Sequence, residues 1–238
     1  MLKLIKDNWA KLADQLAGKK LYWFKSPSGI LLLGATEKIL NKYCRGKVLD
    51  VGAGRLAYKS LLEKHCEEYK SIDFKATSPE LDFVGDVQDM EVLNDDQFDT
   101  VFCSQVLEHI PEPQKAMNEI SRILKRGGKA IISVPFLGYL HNEPYDFFRY
   151  TKHSLRFISK RAGFEVVEIN EVGGLFSFLG YIWSTFFIGL FAGIPFLGYI
   201  VLLVNIPLSY FFILLDVVTM NKKLMPLNYL FILKKRDV

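Results

Sequence analysis

The chain has 238 residues, enough for one domain with decorations and a substantial buried core. Its three cysteines, at 44, 66 and 103, are odd in number and far apart. That argues against a disulfide framework or a zinc knuckle, assigns no metal, and favours a reducing compartment. The net charge of +4 is uneven: residues 1–47 hold ten Lys or Arg against Asp7, Asp14 and Glu37, so this leader carries +7 and the remainder −3. A basic leader on a near-neutral body points to an anionic surface, either lipid or nucleic acid. The first twenty residues lack the continuous apolar core and cleavage site of a secretory signal.

In chain order, Leu2, Ile5, Trp9, Leu12 and Leu16 recur at spacings of three and four, which predicts an amphipathic helix stopped near Gly18. Such a helix either packs on its own domain or lies in a membrane interface. Tyr22-Trp-Phe24 beside Lys19, Lys20 and Lys25 suits the second reading. Val48-Leu-Asp-Val-Gly-Ala-Gly54 reads as a buried strand that ends in a tight glycine turn, where a ligand can lie against the backbone. Alone the turn says little. A helix near 56–65 follows, then a strand near 69–74 whose Asp73 lies 19 residues beyond Gly54, and a strand near 81–85 before Gly85-Asp86-Val87. Further strands are predicted near 98–103 and 129–134, around a helix near 112–125. This alternation implies a parallel sheet with helices on both faces. Thr151 caps a helix closed by Gly163, and Phe164–Ile169 is a sixth strand.

From Val172 to Leu215 the chain runs for 44 positions without a charged residue, about 66 Å if helical. It divides at Ala192-Gly-Ile-Pro195 into two apolar segments, before a last strand at Asn228–Lys235. Since strands of one sheet flank it, a membrane segment here crosses twice or not at all. The alternatives are a hydrophobic lid or dimer interface, and a misread buried core. Lys222, Lys223 and the basic leader place the flanks on the cytoplasmic side. Asn205 and Pro207 read as a kink, as a contact for a polar substrate group, or as a simple surface loop.

The ordered blocks, from Val48–Gly54 through Ile123–Pro135, resemble the class I S-adenosylmethionine (SAM) dependent methyltransferases, in particular the small-molecule, quinone-biosynthesis branch. The resemblance covers roughly residues 46–170. It departs at Arg55-Leu56, where many relatives carry a third glycine, and at Arg126, where proline is common. It implies a doubly wound, Rossmann-like α/β sheet of seven strands, the last antiparallel, with the apolar hairpin inserted between the sixth and seventh. The expected segments are a basic helical leader (1–46), the SAM-binding domain (47–171), a membrane-associating hairpin (172–218) and a return strand (219–238). By resemblance Asp50, Gly52, Ala53 and Gly54 line the methionine and ribose portion of the cofactor, and Asp73 with Phe74 the ribose side. Asp86 and Val87 face the adenine edge, and Ser104 and Gln105 lie beneath it.

His109 and His141 are the candidate bases for an oxygen or acidic nucleophile. His109 could instead brace its loop through Glu108, and His141 could be a surface residue. The dense segment His141–Thr151 is similar to a block of bacterial methyltransferases associated with cell-surface and lipid metabolism. Asp146 and Arg149 there form an ordering ion pair, or Arg149 grips a substrate anion; Tyr145 and Tyr150 shape the pocket. The whole reads as a SAM-dependent methyltransferase held at the cytoplasmic face of a bilayer, acting on an amphipathic or lipid-linked acceptor, with O-methylation first. A non-catalytic SAM-binding membrane scaffold or sensor, and a soluble enzyme with an apolar lid, are the rival readings. Nucleic acid is not expected as a partner, because an uncharged insertion suits it badly.

Overall fold

The computed structural model describes residues 2–16, 19–194, 196–220 and 225–236. Strand β1 (Lys47–Val51) is buried from Val48 onward, as a strand covered on both faces must be. It pairs in parallel with β2 (Glu68–Asp73) and with β4 (Phe98–Ser104), Val48 lying opposite Tyr69 and Thr100. β3 (Phe83–Val84) extends one edge, and β5 (Leu124–Pro135) lies parallel to β4. β7 (Asn228–Lys235) enters antiparallel between β5 and β6 (Phe164–Val172), giving the order β3-β2-β1-β4-β5-β7-β6. The seven-stranded doubly wound sheet expected from the sequence is therefore present.

Its core is built from Leu49, Phe98, Val101, Met117, Ile120 and Phe231 with their neighbours. Met117 and Ile120 come from α4 (Pro113–Ile123), which buries one face at spacings of three and four and takes proline in its first turn. Thr151 caps α5 (Lys152–Arg161) by accepting from the Ser154 amide, and Gly163 (φ 81°) closes it, as expected.

Three local expectations are corrected. The helix near 56–65 shrinks to a single turn, α3 (Lys59–Leu62), because Gly52, Gly54 and Leu56 hold positive φ just before it. The helix near 112–125 ends at Ile123, where β5 begins five residues ahead of the predicted strand. The register slips between Phe98–Leu124 and Thr100–Lys129, and Gly127 (φ 69°) lies within the bulge. The leader holds α1 (Leu2–Leu16), a 3-10 turn (Lys20–Lys25) and a further helix α2 (Pro27–Tyr43), which the sequence reading did not separate. Gly18, Pro195, Lys222 and Lys223 lie outside the described residues.

The chain divides into two compact units: residues 1–35 with 171–228, and residues 36–170 with 229–238. In the first, α6 (Leu175–Phe191) and α7 (Leu197–Val218) form the hairpin. Gly180 brings them close, since a Cβ there would lie 2.6 Å from the Phe212 ring. The hairpin is inside-out. Ser177, Ser184, Asn205, Ser209 and Asp216 are buried, whereas Trp183, Phe186, Val204, Phe211 and Leu214 are exposed. That overturns the misread-core alternative. Asn205 lies within α7, so the loop reading is overturned too. Its amide is engaged by the Ser184 hydroxyl (2.9 Å), the Lys25 carbonyl (2.9 Å) and Ser209.

Candidate active site

The site is assembled where the parallel strands end, the edge at which open α/β sheets hold ligands. After β1 the chain turns at Gly52 (φ 67°), whose amide donates to the Ile72 carbonyl at 2.9 Å. A Cβ on Gly52 would lie 2.3 Å from the Val106 side chain, so only glycine fits. Ala53 is buried beside it. Gly54 (φ 54°) donates to Asp73 Oδ2 at 2.8 Å, and its carbonyl accepts from the Thr77 hydroxyl. Among the described residues nothing lies within 4 Å of a Cβ built on Gly54, so the turn is open on that side. Asp73 also accepts from the Lys75 amide (3.2 Å) and, as a carboxylate, keeps lone pairs for further donors. Phe74 stands two-thirds exposed next to it.

Asp50 is withdrawn beneath the turn. It is buried and accepts from the Tyr69 hydroxyl at 3.0 Å. Burial pushes its carboxyl up to about 7, against the Tyr69 hydrogen bond and helped by the Asp73 charge. Past β3, Asp86 accepts at its carboxylate from the Gln88 amide (2.8 Å) and side chain (2.9 Å), accepts at its carbonyl from the Asp89 amide (3.0 Å), and precedes the buried Val87. At the end of β4, the Ser104 hydroxyl bonds Ser133 (2.7 Å) and Tyr58 (3.1 Å), and Gln105 (φ 58°) reaches Ser133.

The two candidate histidines, 32 positions apart in the chain, meet with ring centroids 4.8 Å apart, edge to face. His109 sits on a 3-10 turn (Leu107–His109) that follows β4. Its Nδ1 lies 2.6 Å from the Tyr145 carbonyl, and its Nε2 is 3.7 Å from Glu108 Oε1 and 3.5 Å from the Asn142 amide. A carbonyl only accepts, so Nδ1 carries the proton and Nε2 the lone pair. Burial holds the His141 pKa below the ordinary histidine value, against a hydrogen bond to the Tyr139 carbonyl.

Asp146 and Arg149 form the ordering pair: the guanidinium fork meets both carboxylate oxygens (2.5 and 2.8 Å) and also reaches the Tyr139 carbonyl. Burial opposes the Asp146 charge, yet that fork and the His141 amide hold its carboxyl down at about 2. Tyr145 is exposed at the rim. Tyr150, expected beside it, is buried under the loop, with its hydroxyl on the Leu107 carbonyl at 3.0 Å. An aromatic body with a satisfied hydroxyl belongs in the core.

Sequence reasoning gave Glu108 only a bracing role. Its carboxyl is fully buried, neither oxygen has a hydrogen-bond partner among the described residues, and burial pushes it up to about 8. The one available signal was its place between Leu107 and His109. Donor atoms of Glu108, His109 and His141 lie within 4.8 Å of one another, a spacing that also suits a divalent metal ion.

Residues 49–132 match a family model described as a methyltransferase domain. The ubiquinone biosynthesis O-methyltransferase of Coxiella burnetii is 32% identical over 113 residues, covering 41% of this chain and 48% of that protein. The enzyme of the same name from Pseudomonas entomophila is 29% identical over 132 residues, covering 54% and 50%. Residues 49–132 therefore carry the sequence pattern of a methyltransferase domain. It spans about half the length of the curated relatives it matches.

Among solved structures, a SAM-dependent methyltransferase from Archaeoglobus fulgidus superposes with TM-score 0.55 at 17% identity, covering 88% of this chain and 95% of that one. The [4+2]-cyclase SpnF superposes with 0.58 at 17% identity, covering 85% and 80%. These likenesses concern the fold alone, and a cyclase among them shows that the fold does not set the reaction. The methyltransferase cofactor fits what is present: a turn open at Gly54, a carboxylate with spare lone pairs at Asp73, and an exposed ring at Phe74.

Proposed function

We propose that the protein transfers a methyl group from SAM to an oxygen of an amphipathic or lipid-linked small molecule at the cytoplasmic face of a membrane. The observation that carries this is the meeting of His109 and His141 beside the glycine turn, to which Val106 ties them. Val106 packs at Gly52, and its carbonyl accepts from the His109 amide. When bound, SAM supplies a methyl on a sulfonium, an electrophile that needs alignment more than activation. In this reading Asp73 accepts the ribose hydroxyls, Asp86 and Val87 flank the adenine, and Ser104 and Gln105 support it from β4. Nε2 of His109 accepts the acceptor's hydroxyl proton while Nδ1 stays fixed on the Tyr145 carbonyl. His141, kept neutral by burial, avoids a repelling second cation.

The names of the relatives support oxygen as the methylated atom. The apolar hairpin supports the membrane: α7 is long and apolar enough to cross one, although α6 is shorter. Exposed Tyr145, Phe147 and Phe148 suit an acceptor with an apolar body. Incubation with methyl-labelled SAM and a total lipid extract is expected to label a lipid-soluble product that releases its methyl as an ether or ester would. Labelling of no lipid fraction would count against the acceptor class. His109→Ala is expected to lower kcat by about 100-fold or more with SAM affinity unchanged. Equal turnover in wild type and variant would remove His109 as the base, and SAM binding without turnover in the wild type would favour the scaffold reading.

A further inference from the structure

The first unit stacks in layers. The face of α7 made by Leu202, Asn205, Ser209 and Asp216 is buried against α6: Asn205 meets Ser184, and Asp216 accepts from the Phe176 and Ser177 amides, both at 2.8 Å. The opposite face of α7, with Leu203, Val204, Tyr210, Phe211, Leu214 and Val218, is exposed and uncharged. On α6 lies α1, whose Ile5 and Asn8 meet Gly189 and Gly193 next to the hairpin turn. A Cβ on Gly189 would lie 2.5 Å from the Ile5 side chain and one on Gly193 2.9 Å from Asn8, and the Asn8 amide donates to the Gly189 carbonyl at 2.9 Å. Ile5, Asn8, Trp9 and Leu16 of α1 are buried, whereas Lys3, Asp7, Lys11 and Gln15, four apart, form an exposed stripe.

Lys3 and Asp7 of that stripe flank Ile5 and Asn8, which meet α6 beside the hairpin turn. A hairpin that crossed a bilayer, or dipped into it end-on, would carry Lys3, Asp7 and Lys11 with it. Each such charge at the bilayer centre disfavours insertion by roughly 100-fold. We propose that the unit lies flat in one leaflet, with the outer face of α7 among the acyl chains and the α1 stripe in water. The geometry matches: an interfacial element sinks roughly 5–10 Å, about one helix diameter, against the ~30 Å hydrocarbon core that a crossing must traverse. Water solubility requires polar atoms outside, and the α6–α7 pair has them inside; acyl chains are the solvent for which that inversion is favourable. The inference rests on the membrane reading above and adds the orientation.

The test uses the full-length protein with vesicles of phosphatidylcholine and phosphatidylglycerol. Single cysteines at Ile200, Val204, Leu214 and Val218 carry a fluorophore in a Cys66→Ser background, since Cys44 and Cys103 are buried. Nitroxide lipids labelled at carbon 5 or carbon 14 report depth. Co-flotation with strong, even quenching by the carbon-5 label along all four positions is expected. A Lys11→Cys label should be unquenched and reactive toward an impermeant maleimide from outside. Quenching that deepens from Val218 toward Ile200 overturns the flat seat while leaving membrane association standing. Failure to float overturns the membrane reading and this inference with it. A dimer in place of flotation makes the α7 face a contact between copies of this chain, which also overturns it.

Discussion

Leu56 holds a φ of 59°, a left-handed conformation that a branched side chain takes at a cost of about 1–2 kcal/mol. It belongs to the Arg55-Leu56 pair at which the resemblance departs from its family pattern, and the backbone there is locally strained. Leu56→Gly removes the strain but loosens the unfolded chain by a similar amount. Leu56→Gly is therefore expected to match wild type in thermal melting within about 1 kcal/mol, while Leu56→Ala, which keeps the strain, melts lower. At Glu108 the sign runs through the proton. The fold keeps its carboxyl protonated to about pH 8, whereas an ordinary glutamate ionises near 4.5. The folded state therefore binds more protons between those values, and the contribution to stability is lost as pH rises through that window. Glu108→Gln keeps the shape without the ionisation. It is expected to melt above wild type at pH 8, by on the order of a few kcal/mol, with the gap closing below about pH 5. Dialysis against a chelator, followed by measurement of methyl transfer, separates the two chemistries open to the Glu108–His109–His141 group. The proton role predicts an unchanged rate.

β1 and β4 were legible because their apolar stretches end at Gly52 and Ser104, and a buried parallel sheet demands such stretches. Helix α2 was not, because Ile30-Leu-Leu-Leu33 is continuous and gives no 3.6-residue period to read. The early start of β5 was hidden for a different reason. Lys125-Arg-Gly-Gly128 has turn chemistry, and only the pairing of Leu124 with Phe98 draws it into the sheet. The glycine turn, Asp73 and Asp86 could be found by spacing along the chain. The His109–His141 contact and the position of Tyr150 could not, since both depend on how the 136–150 loop folds back. Among these elements the hairpin makes the sharpest prediction. Asp216, at the end of α7, caps the first turn of α6 with two backbone hydrogen bonds and ties the base of the hairpin together. Asp216→Ala leaves two amides without their acceptor, a loss of about 1–3 kcal/mol. Asp216→Asn, with one acceptor oxygen, is expected to fall between. Hydrogen exchange at Phe176 and Ser177 is the direct readout, and unchanged protection would show that the cap contributes nothing.

At the scale of the molecule, the main core cluster among the described residues draws on residues between 49 and 169 and between 229 and 233. The ends of the insertion meet: the Leu227 amide donates to the Val172 carbonyl at 2.8 Å, and Leu227 packs on Gly173. A three-residue link can therefore replace 174–226 without stretching β6 or β7. Removing the insertion alone, however, strips α1 of the helix that buries Ile5, and the bared apolar face favours aggregation. The two deletions belong together. A chain lacking both 1–25 and 174–226 is expected to be monomeric and cooperative in unfolding. Its SAM affinity should stay within roughly 3-fold of the full-length protein, as for energetically independent parts. The hairpin deletion alone should elute as soluble aggregate. Size-exclusion chromatography and calorimetric titration with SAM decide the matter. If the double deletion folds but fails to bind, the cofactor site draws on the first unit, and the split of the chain into a catalytic sheet and a lipid-facing seat is not a split of function.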